Sequence, residues 1–369
     1  MQQTAIGVLL GTRPEAIKLA PVIIQLRSRN LSPVVILTGQ HGEIVDQVLD
    51  LFGITSDHDL ALLQDEQTLD HILAEAVSGV GDLLAAERPA ALVVQGDTTS
   101  ALGGSLAAFH HHVPVAHVEA GLRSGSLELP FPEELNRRVT GILARWHFAP
   151  TERAAANLRR EGVEEERILV TGNTVVDALE WIAGTASTVG ELQAFAAEGP
   201  LILATAHRRE SWNGGIAQIA VALRDVLDEM PDHRLIFVTH PNPIASDPVR
   251  SALGDQTRAR VVTALPYPEF IGLLRHARLA ITDSGGVQEE GPTLGIPVLV
   301  TRAVTERPEG LESGAVALVG TDAATIRTSA LELLRSPSRR DEMADAGRGL
   351  YGDGQASRRI VDRLLADLG

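Results

Sequence analysis

Acidic side chains follow two apolar runs of this 369-residue chain and open a later loop. Asp97 comes after "ALVVQ", Glu119 after "PVAHV", and Glu133 with Glu134 after Pro132 in "LELPFPEELNRR". Each has a structural reading: Asp97 can cap the helix that begins at Thr98, Thr99 and Ser100, and acids at 133 and 134 suit the positive end of a helix dipole. Carboxylates gathered at the carboxyl edge of one sheet also have a chemical reading. Crowding raises the pKa of one against another, so that one serves as acid and another as base near neutral pH.

Other loops supply the opposite charge. "GTRPEAIKLAP" (Gly11–Pro21) joins a glycine for a tight turn, Thr12 as a cap and Pro14 in a first helical turn to Arg13 at the mouth and Lys18 one turn on. Two cations beside a helix start make an anion site; the plainer alternative is a capped helix with solvated cations. In "LILATAHRRES", His207 stands with Arg208, Arg209 and Glu210 between a strand and a helix, where a ring flanked by arginines suits phosphate. In "ITDSGGVQEEGPTLGIPVLV", Ser284 can cap a helix while the amides of Gly285 and Gly286 face an anion without obstruction by Cβ. Glu290, four residues after Gly286, shares its helix face and can accept hydrogen bonds from vicinal hydroxyls. Phosphate in front and hydroxyls behind describe a nucleoside diphosphate. Glu289 has no expected role beyond its place near a helix N-terminus. Arg302, Glu306 and Arg307 in "RAVTERPEG" add charge after another strand end.

The chain has neither G-x-x-x-x-G-K-[ST] nor G-x-G-x-x-G, so neither a triphosphatase loop nor a dinucleotide cofactor is expected. His110, His111, His112 and His117 lack a metal-ligand spacing, and no metal is expected.

The elements that must position these residues are short, unalternating apolar runs: "AIGVLL", "PVVILT", "AALVVQ", "PVAHV" and "HFAP", then "LILATA", "RLIFVT", "ARVVTA", "LAITD", "PVLVT" and "AVALVG". Runs of this length, rich in β-branched residues and separated by amphipathic segments, read as buried parallel strands with helical crossovers. The fold class is α/β, two Rossmann-like doubly wound halves, each binding ligands beyond the carboxyl ends of its strands. The junction falls near Thr171–Pro200, and the amphipathic "ASRRIVDRLLADL", with no strand after it, packs back on the first domain. The expected domains are therefore 1–171 plus 355–369, with the carboxylates, and 172–354.

Composition narrows the partners. Aromatic residues make up 3% against 44% hydrophobic, so the core is aliphatic. A net charge of −16 repels nucleic acid and anionic membrane, and an anionic substrate needs a local basic pocket. There is no cysteine, which removes disulfides and thiolate chemistry. "AIGVLL" is too short for a signal peptide or a membrane span. A soluble cytoplasmic protein is expected.

The set "GTRPEAIKLAP", "TGQH", "GDTT", "VEAGLRSG", "PEELNRR", "TGNTVVDAL", "HRRES", "DSGGVQEEGPTLGIPVLV", "TERPEG" and "YGDGQAS" resembles the non-hydrolysing UDP-N-acetylglucosamine 2-epimerases, in order from Gly11 to about Ser357. The resemblance implies the glycosyltransferase B-type architecture with the active site in an interdomain cleft, a homodimer, and no redox cofactor. It implies elimination of UDP through a 2-acetamidoglucal followed by re-addition. Asp97, Glu119 and Glu133 would be the catalytic carboxylates, with no assignment of each to a face of C2, and His207 would contact the diphosphate or help the leaving group. Arg13 and Lys18 would go to the phosphates or sugar, Ser284, Gly285 and Gly286 to the diphosphate, Glu290 to the ribose, Arg307 to the nucleotide end and Phe270 to the uracil. The runner-up activities are epimerisation of a related UDP-2-acetamido uronic acid and glycosyl transfer on the same fold; a non-enzymatic nucleotide-sugar sensor is a third.

Some positions depart from the family pattern. Gln95 precedes "GDTT" where many relatives have His, a change expected to tune activity. Where some bacterial members bind a second, regulatory UDP-N-acetylglucosamine through a "QHRxM" loop and an Arg before "QTL", this chain has "QHGEIV" and "DEQTL". Gly42, Glu43 and Glu66 thus replace groups that would meet an anionic ligand, and that regulation is expected to be weak or lacking.

Overall fold

The computed structural model describes residues 5–39, 42–62, 68–183, 190–208 and 211–369, and for 42–44 the backbone only. Arg209, Glu210 and Glu66, with Gln40 and His41 of the "TGQH" motif, lie outside the described residues, as do the side chains of Gly42 and Glu43.

The chain divides into two compact units, Met1–Trp181 with Tyr351–Gly369, and Ile182–Leu350. The first holds a sheet of strands β1 (Ala5–Leu10), β2 (Ser32–Leu37), β3 (His58–Asp59), β4 (Ala91–Gln95), β5 (Val115–Val118), β6 (Ala144–Ala149) and β7 (Ile168–Val170). Their order is β3-β2-β1-β4-β5-β6-β7, with every pair parallel. The second holds β8 (Leu201–Ala206), β9 (Arg234–Thr239), β10 (Ala259–Thr263), β11 (Ala277–Thr282), β12 (Val298–Val300) and β13 (Val316–Leu318), ordered β10-β9-β8-β11-β12-β13 and again all parallel.

β4 and β8 are buried at every position. Helices cover both faces of such strands, which is why they read as continuous apolar runs. The cores are aliphatic: Leu9, Leu92, Val94 and Val115 in the first unit, and Ile202, Leu235, Leu279 and Ile281 in the second. β3 and β7 were not among the expected strands. They have two and three residues at the two edges of the sheet, too short to carry a hydrophobic pattern.

In each unit the order reverses between two strands that are not consecutive in the chain: β1 beside β4, and β8 beside β11. Crevices open at the carboxyl ends of strands at such switch points. The helix Ala356–Leu368 packs on the first unit. Asp177 accepts hydrogen bonds from the amide (2.8 Å) and hydroxyl (2.5 Å) of Ser357, and from the Ala356 amide at 3.2 Å. The Asn173 amide donates to the Tyr351 carbonyl at 2.7 Å, so residues 172–181 and 351–354 join the first unit.

Candidate active site

At the first switch point Gly11 follows β1. A Cβ there would lie 2.2 Å from the Thr38 hydroxyl, so the close passage of the loop requires glycine. Glu15 locks the loop: its carboxylate accepts from the amides of Gly11 (3.0 Å) and Thr12 (2.7 Å) and from the hydroxyls of Thr12 (2.8 Å) and Thr98 (2.7 Å). Burial raises its pKa, while these donors pull it the other way. Glu15 thus ties the loop after β1 to the loop after β4. Sequence reasoning passed over it, although Thr12-x-x-Glu15 is a capping-box spacing. Arg13 is exposed, beside this lock.

Gln95 and Val118 are register partners at the ends of β4 and β5, so Asp97 and Glu119 leave the sheet side by side. Glu119, 9% exposed, adopts φ +65, a left-handed conformation uncommon for a residue with a side chain. Its Oε1 lies 2.6 Å from Lys18 Nζ, and its Oε2 accepts from the Gln95 side-chain amide. Lys18 is therefore bound to a carboxylate, with both side chains 6% exposed.

Arg137 holds Asp97: Nε donates to Oδ2 at 3.0 Å and a second guanidinium nitrogen contacts the same oxygen. The Asn136 side chain donates to the Asp97 carbonyl at 2.9 Å. Of the paired acids at 133 and 134, Glu134 is fully buried and structural, accepting from the Ser124 amide (3.0 Å), Arg137 (3.0 Å) and Arg138 (3.2 Å). Glu133 is half-buried at the first position of the helix Glu133–Leu143. One turn of this helix thus carries Glu133 and the arginine that fixes Asp97.

At the second switch point His207 follows β8 and Asp283 follows β11. The Asp283 carboxylate is fully buried and receives the amides of His207 and Arg208, each at 2.8 Å on Oδ2, and His207 Nδ1 lies 3.1 Å from Oδ1. Burial alone would raise the Asp283 pKa, but the ring and the two amides outweigh it and hold the group ionised. Asp283 directly follows the buried end of β11, the same kind of position that Glu119 holds after β5.

The helix after this loop runs Val287–Thr293. No side chain caps it: Gly286 is the N-cap residue, and the expected cap by Ser284 is not formed because Ser284 sits two residues earlier, its amide bonded to the Thr282 hydroxyl at 2.9 Å. Glu289 has a definite partner, Arg307, whose Nε donates to it at 2.5 Å. Arg307 also pairs with Glu306, and Glu306 with Arg302 at 3.1 Å. Burial works to raise the Glu306 pKa, but Arg307, Arg302 and Arg208 outweigh it and hold the group far below the carboxylate range. Glu290 is 6% exposed and accepts from the Tyr267 hydroxyl at 2.8 Å. Tyr267 and the half-buried Phe270 share the helix Tyr267–His276, one turn apart.

The first unit therefore carries Asp97 with Arg137, Glu119 with Lys18, and Glu133 on the helix that carries Arg137, and the second carries His207 with Asp283, the 284–286 turn, Glu290 and Arg307. Among the described residues no group of three His, Asp or Glu side chains is arranged to hold a metal ion, and no helix is long and apolar enough to cross a membrane.

Residues 25–365 match the sequence model of the family described as UDP-N-acetylglucosamine 2-epimerase. The chain is 44% identical over 365 residues to the UDP-N-acetylglucosamine 2-epimerase of Salmonella typhimurium, covering 96% of this chain and 97% of that one. To the enzyme of the same name from Bacillus subtilis it is 42% identical over 370 residues, covering 100% of this chain and 97% of the other. The crystal structure of UDP-GlcNAc 2-epimerase from Neisseria meningitidis bound to UDP-GlcNAc superposes with a TM-score of 0.93 at 38% identity, covering 98% of this chain and 100% of that chain.

Proposed function

The chain belongs to the UDP-N-acetylglucosamine 2-epimerase family, and from that membership we propose how its residues carry out the reaction. It is an isomerase acting at C2 of UDP-N-acetylglucosamine. Inversion there gives UDP-N-acetylmannosamine.

The C2 proton is weakly acidic, so its removal must be coupled to departure of UDP. A carboxylate takes the C2 proton, the bond between C1 and the β-phosphate oxygen breaks with its electrons going to UDP, and a C1–C2 double bond forms as the 2-acetamidoglucal. Protonation of C2 from the other face, with re-addition of the UDP oxygen at C1, completes the inversion. The two faces call for two acid/base groups, and Asp97, Glu119 and Glu133 are the group from which they come. The observation that carries this reading is the side-by-side exit of Asp97 and Glu119 from β4 and β5, each held by a buried cation, Arg137 or Lys18.

His207 contacts the diphosphate and assists the leaving oxygen. The turn Ser284, Gly285 and Gly286 binds the diphosphate, Arg13 is a cation for the phosphates or sugar, and Arg307 serves the nucleotide end. Phe270 packs on the uracil and Glu290 holds the ribose; the Tyr267 bridge between their helices supports a shared uridine end. Lys18 acts at the sugar end through Glu119. Elimination and re-addition need no redox partner. The first unit supplies the catalytic carboxylates and the second the UDP handle.

The enzyme works in the cytoplasm as a homodimer.

Incubation with UDP-N-acetylglucosamine in deuterated water tests the chemistry. Deuterium at C2 together with the manno epimer is expected; unlabelled, unchanged substrate overturns the reading. Asp97→Asn should bind UDP as the parent does and lose turnover.

A further inference from the structure

We infer that Asp283 is the positioning residue for His207: its buried carboxylate fixes the ring's tautomer so that Nε2 faces the departing diphosphate. This inference rests on the reading of His207 as a leaving-group residue and adds a partner to it.

Asp283 follows β11 and His207 follows β8, two strands that are neighbours only because the order reverses there. The Asp283 amide donates to the Thr205 carbonyl at 3.3 Å, and the Thr205 and Thr282 hydroxyls meet at 2.6 Å, so the two strand ends are cross-linked below the site. Both amides on Oδ2 come from the segment that carries the ring, which fixes its backbone. The other oxygen faces Nδ1 at 3.1 Å. Oδ1 is buried and has no aligned hydrogen-bond donor, and an ionised carboxylate can only accept, so a proton on Nδ1 turned toward Oδ1 is the tautomer this pairing favours. The neutral ring then offers a lone pair at Nε2 and the protonated ring an N–H, the two states a group needs to give a proton to the leaving phosphate oxygen and take it back on re-addition.

The surroundings fit this role. The Asp283 side chain is fully buried while the His207 side chain is 45% exposed, so one end of the dyad is anchored and the other open to a ligand. The Trp212 indole donates to the His207 carbonyl at 3.3 Å, a further restraint on the segment.

The amide variant separates positioning from general support. In Asp283→Asn a carbonyl oxygen still accepts the two main-chain amides, but the side-chain NH2 turned toward Nδ1 requires a lone pair there, and the proton moves to Nε2. Three measurements on the full-length enzyme decide. Nitrogen-15 NMR of the His207 ring should report Nδ1–H in the parent and Nε2–H in Asp283→Asn, with kcat reduced at least tenfold and KM changed by less than about threefold. In a His207→Ala background, Asp283→Asn should reduce kcat no further, because its route to the chemistry is already gone. An unchanged tautomer, or equal losses from Asp283→Asn in both backgrounds, overturns the inference. A His207→Ala enzyme with parental kcat would instead overturn the underlying reading of His207.

Discussion

Lys18 Nζ lies 2.6 Å from Glu119 Oε1 with both side chains 6% exposed, so the second cation of the first loop serves a carboxylate. Breaking a buried pair from one side leaves the other charge uncompensated, at a cost of about 3–5 kcal/mol. Lys18→Met is therefore expected to destabilise the enzyme by about that amount and to abolish measurable turnover. Adding Glu119→Gln should recover part of the stability and none of the activity, because an amide leaves no unpaired charge. Denaturant midpoints for the two variants give the comparison. If the double variant is no more stable than Lys18→Met, the pair is not what holds Glu119.

Gly285 packs against Arg307, the residue proposed for the nucleotide end. A Cβ at 285 would stand 2.8 Å from a guanidinium nitrogen of Arg307, which Glu289 and Glu306 hold in place. The arginine can yield only by leaving two buried carboxylates. Gly285→Ala should raise KM for UDP-N-acetylglucosamine by about tenfold, the equivalent of about 1.4 kcal/mol, with a smaller change in kcat. A KM within twofold of the parent would count against Arg307 as a nucleotide-binding group.

The sheets were legible because strands buried on both faces are unbroken apolar runs, and that is equally why the edge strands His58–Asp59 and Ile168–Val170 were not. Asp97 and Glu119 could be found because they directly follow buried runs. Their supports could not, since they depend on which strands become neighbours. Glu15 reaches Thr98 across the β1–β4 junction, and Asp283 reaches His207 across β8–β11, separations of 83 and 76 residues that no local pattern encodes. Glu289 looked idle for the same reason: Arg307, its partner, lies 18 residues further on.

Tyr267 is the hydroxyl partner of Glu290, the residue proposed for the ribose. Its hydroxyl donates to Glu290 at 2.8 Å, and losing a donor to a buried carboxylate costs about 1.5–3 kcal/mol of its placement. With Glu290 on the ribose, Tyr267→Phe should weaken UDP by about tenfold and 2′-deoxy-UDP by much less, narrowing the preference between them. Calorimetric titration of both ligands reads the ratio. Equal weakening would make Tyr267 a packing residue only.

His117 and His147 are cross-strand partners on β5 and β6, both fully buried. Burial is the main cause lowering the pKa of His147 from 6.5 to about 3, helped by His117 and Arg167, and burial likewise lowers His117 to about 4. A depressed histidine binds its proton first in the unfolded chain. Stability is thus complete above the unfolded pKa and falls as pH drops from 6.5 toward the folded value. Each group contributes up to about 1.4 kcal/mol per pH unit, or about 2 kcal/mol between pH 6.5 and pH 5. Glu15 and Asp177, whose pKa values burial raises, act in the opposite sense but equally in parent and variant. His147→Phe, similar in size and without a titrating group, should therefore lose about 2 kcal/mol less than the parent between about pH 7.5 and pH 5 in urea unfolding. Parallel pH profiles for the two proteins would show that His147 does not set the acid limit.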